Sequence, residues 1–407
     1  MKEDLYVYDT LCMIFRDGRW GDRALASVRE DSRAFVTNAV YGILSKNVTL
    51  EYIISSIAQK RPKNQISILL KMGLYYIDYM DSLPNYAAVD RIVECASRVG
   101  KGDVKGFINA VLRKYIDKGI TYPKDKAENI SVRTSTPLWL VKKYIEQYGI
   151  EQCERFLGVP KFTKQHIRPN LRLWNKDDLY SRLDSMNVDY VKSNNGCFIS
   201  WSKQLYGLFD QGLITIQSPT SMMCCESSDV KDGMRVLDMC SAPGGKAVYL
   251  SELADITVKC CDNRQHRVDL IASYAERMKS SGIECVLSDA TVFHVEYGAF
   301  DRVMCDVPCS GFGVAMSKPD IYLRRQESDI SSLAAVQSRI LRNAAKYVNC
   351  GGRIIYSTCT TLREENEDIV DGFIKDNNHF NLVSQRNFLP DGKGVDGFYI
   401  AVIERKA

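Results

Sequence analysis

The segment VLDMCSAPGGK, residues 236–246, predicts the fold of the carboxyl-terminal half of this chain. A short apolar run leads directly into a glycine-containing loop, and the next residues, KAVYLSELA (246–254), have helical spacing. A strand, a tight loop and a helix in this order are typical of a nucleotide-binding α/β unit, whose loop N–H groups and helix dipole favour an anionic group. The loop continues as GKA rather than the GKS or GKT of a P-loop, so ATP chemistry is not expected.

Strands and helices alternate on both sides of this segment. Strands are predicted at 235–239, 256–262, 284–289, 302–307 and 353–358, helices at 246–254, 266–282, 330–348 and 365–377, and the last strands at 379–383 and 397–405. This alternation predicts an α/β Rossmann-like domain over residues 205–407. In such a sheet the chemistry gathers outside the carboxyl ends of the strands.

Three acidic residues end successive predicted strands. Asp262 lies 18 residues after Gly244, where a carboxylate is expected to hold ribose hydroxyls. Asp289 ends the third strand, within reach of an adenine edge, and Asp306 ends the fourth. Three acids in this register favour a nucleoside cofactor over a phosphate-rich one. The alternative is that they cap the helices that follow.

Two cysteines follow strands of the same predicted sheet. Cys309 lies in DVPCSG (306–311), after FDRVMCD (300–306), and Cys359 ends STC (357–359), after GRIIYST (352–358). A single cysteine after a strand is usually structural. Two thiols at the edge that carries the cofactor loop indicate covalent catalysis instead.

The amino-terminal part has a different pattern. Apolar residues recur at helical spacing in 5–15, 34–44, 66–80 and 104–116, which predicts an all-α bundle over residues 1–125. Residues 121–135 are predicted to be a polar linker. Helices at 136–149, 151–158 and 179–186 and strands at 166–174, 188–193 and 196–202 then predict a small α+β module over 126–204. A chain of 407 residues is long enough for these three domains.

Charge is distributed unevenly along the chain. Residues 1–130 hold 20 Lys and Arg against 16 Asp and Glu, whereas residues 231–407 hold 22 against 24. The basic excess outside the α/β domain hints at a polyanionic partner, and ordinary solvated faces are the alternative. Lys60, Arg61 and Lys63, and also Arg324 and Arg325, have the same two interpretations.

Cysteine and histidine usage gives no sign of a metal or disulfide framework. There are 14 cysteines and 4 histidines, but no CxxC pair and no ligand spacing. The start, MKEDLYVYD, has no apolar signal region, and no stretch is apolar enough to span a membrane. A reduced cytoplasmic protein without metal is expected.

Several of these segments resemble one family. DMCSAPGGK, DVPCSG followed by KPDI, STC followed by EEN, QGLITIQSPTSMM (211–223) and DGFYIAVIER (396–405) are similar to motifs of the RNA 5-methylcytosine methyltransferases, the Fmu/NOL1/NOP2/sun group. SAPGGK stands where AAPGGK is commoner, and DVPCSG where DAPCSG is usual. The helical domain resembles NusB, an RNA-binding factor, most closely in KGFINAVLRKY (105–115).

The resemblance implies S-adenosylmethionine as methyl donor and assigns roles to residues. Cys359 is the implied nucleophile and Cys309 the residue that assists product release. Asp306 is our candidate for stabilising the cytosine ring near nitrogen 3. The implied cofactor residues are Cys240, Ser241, Ala242, Pro243, Gly244, Gly245, Lys246, Asp262, Arg267, Asp289 and Asp306.

The domain combination resembles family members that methylate 16S ribosomal RNA, and a monomer is expected. The same chemistry on transfer RNA or 23S ribosomal RNA is one alternative. A non-catalytic RNA-binding assembly factor is another. DNA cytosine methylation is disfavoured, because in that family the PC cysteine is the nucleophile and STC is absent.

Overall fold

The computed structural model describes residues 2–81 and 83–406. It separates into two compact units, Met1–Gly158 with Ala315–Arg325, and Val159–Val314 with Gln326–Ala407. The division at residues 125 and 204 stays a prediction. Its middle module contributes helices to the first unit and strands to the second.

The first unit is helical. Its main helices are α1 (Lys2–Phe15), α2 (Gly21–Leu25), α3 (Glu30–Ser45), α4 (Asn47–Ile57), α5 (Asn64–Tyr79), α6 (Asn85–Arg98), α7 (Lys105–Lys118), α8 (Lys126–Thr134), α9 (Leu138–Tyr148) and α10 (Ile150–Leu157). Every residue from Ile68 to Tyr76 of α5 is buried, so this helix forms the centre of the bundle.

Helix α8 lies where the sequence analysis expected a linker. Asp125 caps it by accepting a hydrogen bond from the Glu128 backbone N–H at 2.9 Å. Ile130 and Val132 are buried, whereas most of the surrounding residues are polar. The linker prediction was wrong because the apolar stripe of this helix is too narrow to stand out in the sequence.

Residues 315–325, which directly follow the Cys309 loop in the chain, belong to the first unit. The Asp320 carboxylate accepts from the Gly21 N–H at 2.9 Å. Arg324 donates to the backbone carbonyls of Ile14 and Arg19 at 2.7 and 2.6 Å. Arg324 therefore anchors this segment within the first unit, and its interpretation as an RNA-phosphate contact stays a prediction.

The second unit begins with a small antiparallel sheet in the order β2-β3-β1-β4. Its elements are β1 (Gln165–Pro169), α11 (Lys176–Ser185), β2 (Tyr190–Ser193), β3 (Gly196–Ile199), α12 (Tyr206–Asp210) and β4 (Ile214–Ile216). The predicted strand 166–174 ends early because Asn170 turns the chain, accepting from the Trp174 N–H at 2.8 Å.

A seven-stranded sheet follows, in the order β10-β11-β9-β8-β5-β6-β7. Its strands are β5 (Arg235–Asp238), β6 (Thr257–Asp262), β7 (Ile283–Leu287), β8 (Phe300–Asp306), β9 (Val348–Thr358), β10 (Phe380–Phe388) and β11 (Phe398–Arg405). The longer helices of this part of the unit are α13 (Pro219–Glu226), α14 (Gly245–Leu253), α15 (Gln265–Arg277), α17 (Glu327–Ala344) and α18 (Glu367–Asp376), and α16 (Ile321–Arg324) belongs to the first unit.

The sheet is buried on both faces, because neighbouring residues of one strand enter different cores. Val303 and Cys305 of β8 pack in one cluster, and Met304 packs in the other. Strands β5 to β9 are parallel, and β11 runs antiparallel to β9. The chain builds β5, β6 and β7 outward, and returns to β8 on the other side of β5. The carboxyl ends of β5 and β8 are thus the switch point where ligands bind in such folds.

Candidate active site

The loop after β5 is held against its neighbours by its backbone. Ser241 N–H donates to the Cys261 carbonyl at 2.9 Å, and Gly244 N–H donates to the Ser241 carbonyl at 2.7 Å. Gly244 has φ +105°, and a Cβ there would lie 3.2 Å from the Ile271 Cα. Only glycine fits this left-handed and crowded position. Helix α14 begins at the next residue, so its free N–H groups face the end of the sheet.

Asp238, the last residue of β5, is a site residue that the sequence analysis missed. It is 1% exposed, and neither carboxylate oxygen has a hydrogen-bond partner of good geometry, although the Ser241 hydroxyl and the Cys240 N–H are near enough to lower its pKa. Burial raises the pKa of Asp238 to about 6, and the charge of Asp306 acts in the same direction. A buried acceptor without a well-placed donor fits a ligand that brings a cationic or N–H group. Its position at the end of the first strand was the available sequence signal.

Asp262 and Asp289 lie at the ends of the next two strands. Asp262 is buried and accepts from the Arg264 N–H at 3.3 Å and from the exposed Arg267 guanidinium at 3.2 Å. Asp289 is exposed and accepts from both the N–H and the hydroxyl of Thr291 at 2.8 Å, which lowers its pKa.

Neither Asp262 nor Asp289 caps the helix that follows it. The residue that precedes α15 in the cap position is Arg264 rather than Asp262. Asp289 instead closes a tight turn with Thr291, six residues before the short helix at Val295. Two acids at adjacent strand ends remain available to polar groups of a ligand.

Asp306, at the end of β8, is part of an ion pair. The Lys246 ammonium lies 2.6 Å from its Oδ2, and the Ser357 hydroxyl donates to Oδ1 at 2.9 Å. Burial lowers the pKa of Lys246, but the charge and hydrogen bond of Asp306 together with the neighbouring Cys224 and Cys225 raise it by more, so the net direction is upward. Lys246 is therefore an ammonium at neutral pH. It lies in the first turn of α14, which follows the predicted cofactor loop, and also contacts Asp306, so it connects the two parts of the site.

The two predicted catalytic thiols meet. The Cys309 and Cys359 sulfurs are 3.3 Å apart, although 50 residues separate them, and both side chains are half-buried. The hydrogen bond with Cys359, together with burial, raises the pKa of the Cys309 thiol well above its ordinary value. Cys309 thus holds its proton at neutral pH.

Backbone contacts between glycines set the separation of the two thiol loops. Gly313 N–H donates to the Cys359 carbonyl at 2.9 Å, and Gly397 N–H donates to the Gly313 carbonyl at 2.9 Å. A Cβ on Gly313 would lie 2.0 Å from the Gly397 carbonyl oxygen and 2.8 Å from that of Cys359. Glycine is required because three backbone segments touch at this point.

Glu365 is a second residue that the sequence analysis missed. Its side chain is fully buried, and its Oε1 accepts from the Ser310 N–H at 2.8 Å and from Gln337 at 2.9 Å. Gln337 also donates to the Pro308 carbonyl at 3.0 Å. The carboxylate therefore holds the residues on both sides of Cys309. Its presence in the EEN segment was the only sequence signal.

Most other cysteines of the second unit are structural. Burial raises the pKa of Cys224 and Cys261 to about 12, and raises those of Cys225, Cys260 and Cys240 well above the ordinary value. Cys240 is half-buried in the cofactor loop, so it contributes shape rather than a reactive thiolate.

Three basic residues of the first unit lie on its surface. Lys60, Arg61 and Lys63 are exposed, with Arg61 only 4.0 Å from Glu51, so an RNA-phosphate contact and an ordinary solvated face both remain open for this group.

Within residues 2–81 and 83–406, no group of three or more His, Cys, Asp or Glu side chains is placed to hold a metal ion. No helix in the described part of the chain combines the length and apolarity needed to cross a membrane.

Comparison with known proteins agrees with this geometry. Residues 227–404 match the family described as 16S rRNA methyltransferase RsmB/F, and residues 8–117 match the NusB family. A probable ribosomal RNA small subunit methyltransferase B of Bacillus subtilis is 32% identical, over 93% of this chain and 91% of that protein. The chain belongs to the RsmB/F methyltransferase family. A ribosomal RNA small subunit methyltransferase B of Proteus mirabilis is 28% identical over 93% of this chain and 92% of its own length.

Solved structures share the RsmB/F fold. The crystal structure of PH0851 is 22% identical and superposes with a TM-score of 0.81 over 98% of this chain and 97% of that chain. A methyltransferase homolog protein from Pyrococcus horikoshii is 24% identical, with a TM-score of 0.61 over 70% of this chain and 100% of that one. The predicted family and fold class are confirmed: a helical NusB domain precedes a Rossmann-like methyltransferase domain.

Proposed function

We propose that this protein transfers a methyl group from S-adenosylmethionine to carbon 5 of a cytosine in 16S ribosomal RNA, through a transient bond between Cys359 and carbon 6. The observation that carries the proposal is the pair of sulfurs 3.3 Å apart at the carboxyl ends of two parallel strands, beside the cofactor loop. Membership in the RsmB/F family and the names of its relatives support the RNA substrate.

The residues at the switch point suit the methyl donor. When bound, S-adenosylmethionine supplies an electrophilic methyl group on a positively charged sulfur. The unpartnered Asp238 carboxylate suits the donor's ammonium group, and the loop Cys240–Lys246 suits its methionine end. Asp262, with Arg267 beside it, suits the ribose hydroxyls, and Asp289 the adenine edge.

Covalent catalysis overcomes the low nucleophilicity of carbon 5 of cytosine. The Cys359 thiolate donates an electron pair to carbon 6, and the carbon 5–carbon 6 double bond shifts its electrons toward the ring. Carbon 5 then has the electron density to accept the methyl group. A serine hydroxyl is too weak a nucleophile at neutral pH, whereas a thiolate is both reactive and easily expelled.

Asp306 and Lys246 manage the charge that develops on the ring. As Cys359 adds to carbon 6, the Asp306 carboxyl passes a proton to nitrogen 3 of the cytosine and becomes a carboxylate, and the Lys246 ammonium 2.6 Å away stabilises that carboxylate. Because Lys246 and Ser357 hold both carboxylate oxygens, the group needs little reorganisation during the reaction.

Product release needs a second step. A base takes the proton from carbon 5, the carbon 5–carbon 6 double bond forms again, and the sulfur of Cys359 leaves as a thiolate. Cys309 is the side chain next to that sulfur, so we assign it the assisting role. Reaching the ring also requires an unpaired or flipped-out base, which RNA loops provide.

The test uses radiolabelled S-adenosylmethionine and 16S ribosomal RNA from cells that lack this protein. Cys359→Ala should abolish methyl transfer, and Cys309→Ala should accumulate a protein–RNA adduct that persists on a denaturing gel. Cys350→Ala, at an exposed cysteine, is the matched control and should behave as wild type. Normal turnover by Cys359→Ala would refute the covalent mechanism. Methylation of transfer RNA or 23S RNA alone would refute the substrate.

A further inference from the structure

Two neighbouring thiols raise the question of which one ionises. Cys309 and Cys359 both follow parallel strands, both are half-buried, and their sulfurs are 3.3 Å apart. Two negative charges at this distance repel each other strongly, so the pair carries one charge at most near neutral pH. Position in the sheet does not decide which sulfur carries it.

Besides the hydrogen bond with Cys359 and burial, the charge of one buried carboxylate, Glu365, raises the pKa of the Cys309 thiol. Glu365 accepts from the Ser310 N–H at 2.8 Å and from the Ser310 hydroxyl at 2.5 Å, so it is fastened to the residue next to Cys309. Gln337 joins the same carboxylate at 2.9 Å to the Pro308 carbonyl at 3.0 Å. The Cys309 loop is thus fixed from both sides by a single acidic group.

The hydrogen-bond pattern is that of an ionised carboxylate. Two N–H groups point at Oε1, and the Ser310 hydroxyl points at Oε2. The Ser310 hydroxyl also lies within donor distance, 2.9 Å, of the Thr360 hydroxyl oxygen, and a hydrogen bond from the Thr360 side chain further favours the ionised Glu365. Burial raises the pKa of Glu365, and these donors oppose the shift. A negative charge here disfavours a second one on the adjacent sulfur.

The other titratable groups around Cys309 do not cancel this effect. The Tyr356 hydroxyl, on β9, donates to the Glu365 backbone carbonyl at 2.6 Å and remains neutral because burial raises its pKa. Lys246, in the first turn of α14, is paired at 2.6 Å with Asp306 at the end of β8, so that pair contributes little net charge.

We propose that Glu365 is the positioning residue that separates the roles of the two thiols. Its buried carboxylate holds the Cys309 loop and keeps Cys309 protonated, so the ionised sulfur of the pair is Cys359. This inference rests on the proposed function, which assigns Cys359 as the nucleophile and Cys309 as the residue that assists release. It predicts that removing the charge of Glu365 allows Cys309 to compete for the single negative charge.

The experiment measures alkylation of the full chain by iodoacetamide between pH 6 and pH 10, without RNA or methyl donor. Arg324 and Arg353 separate the two cysteines, so trypsin puts them in different peptides for mass spectrometry. In the wild type, Cys359 should react first. In Glu365→Gln, the pH midpoint of Cys309 alkylation should fall by about one unit, which is about a tenfold rise in its rate below the midpoint.

Glu367→Gln is the matched control, because Glu367 is also partly buried but accepts from Asn387, away from the thiols. Unchanged Cys309 alkylation in folded Glu365→Gln would overturn the proposal. A second measurement covers the case in which that variant does not fold. In Cys359→Ser, Cys309 should still react with a midpoint above the ordinary thiol value of about 8.5. A midpoint at or below that value would overturn the proposal too.

The two proposals fail separately. The expected alkylation pattern without methyl transfer to RNA would refute the proposed function alone. Methyl transfer with equal alkylation of both cysteines at all pH values would refute the role of Glu365 alone.

Discussion

Replacement of Gly313 by alanine tests the backbone contact that sets the distance between the two thiol loops. The added Cβ would lie 2.0 Å from the carbonyl oxygen of Gly397, 2.5 Å from its carbonyl carbon, and 2.8 Å from the Cys359 carbonyl oxygen. All three neighbours are backbone atoms in or beside the ends of β9 and β11, so no side chain can move aside. The Gly313 segment, the Cys359 segment, or both must shift.

The size of the effect follows from two contributions. Overpacking of a filled interior destabilises a protein by about 1–3 kcal/mol. The shift also weakens the two backbone hydrogen bonds of Gly313, each 2.9 Å long and worth about 0.5–1.5 kcal/mol. A loss of about 3 kcal/mol is expected. For a unit of this size, that corresponds to a fall in melting temperature of roughly 6–12 °C.

Differential scanning calorimetry measures the melting temperature, and iodoacetamide at pH 7.5 reports on the thiols of the folded variant. The alkylation rate of Cys309 relative to that of Cys359 should change, because the hydrogen bond between the two sulfurs changes with their separation. Gly372→Ala is the control: Gly372 lies in α18, and a Cβ there meets nothing within 4 Å. That variant should be stabilised by about 0.5–1 kcal/mol. The expected fall in melting temperature is roughly 6–12 °C, so a melting temperature of Gly313→Ala within about 2 °C of the wild type would refute the steric reasoning.

Three further outcomes are expected. Lys246→Met should lower the rate of methyl transfer at least about 100-fold, because the charge next to Asp306 is lost. Single-turnover kinetics with labelled donor measures this rate. A rate within about threefold of the wild type would exclude a role of Lys246 in charge stabilisation. Arg168→Met should destabilise the protein by about 3–5 kcal/mol in urea, since it leaves the fully buried Glu252 carboxylate without its ion pair at 2.6 Å, while the double variant with Glu252→Met should recover most of the loss. Asp238 has a folded-state pKa of about 6 against an ordinary value of 3.8, so its contribution to stability is present below pH 4 and lost as the pH rises through about 6. Asp238→Asn should abolish that part of the pH dependence in urea titrations and be more stable than wild type at pH 7.5, yet bind S-adenosylmethionine more weakly by calorimetry; unchanged binding would remove Asp238 from the cofactor site.

Local patterns located most elements of the second unit. Each strand of the large sheet was predicted at least in part, because continuous apolar runs bounded by polar turns are characteristic of a sheet buried on both faces. The predictions 353–358 and 379–383 covered only about half of β9 and of β10. Short elements escaped notice, among them β4 (Ile214–Ile216) and the polar helix α8, since a few residues do not establish a period. The roles of Asp238 and Glu365 were also missed. The residue type alone does not show whether a carboxylate is exposed to solvent, buried in a pocket or hydrogen-bonded to a loop.

The amino-acid sequence by itself determined the succession of strands and helices, the glycine-containing loop that opens α14, and the placement of Cys309 and Cys359 just beyond strand ends. Those features are local, since they depend on the spacing of apolar residues and on the backbone freedom of glycine. The tertiary structure decided which of these strand ends, and which of their side chains, lie next to each other. Because β8 lies between β5 and β9, the chain brings two sulfurs 50 residues apart to 3.3 Å and sets Lys246 against Asp306. Strand order in a parallel sheet arises from packing over long sequence distances, and only the folded sheet shows which strand ends meet.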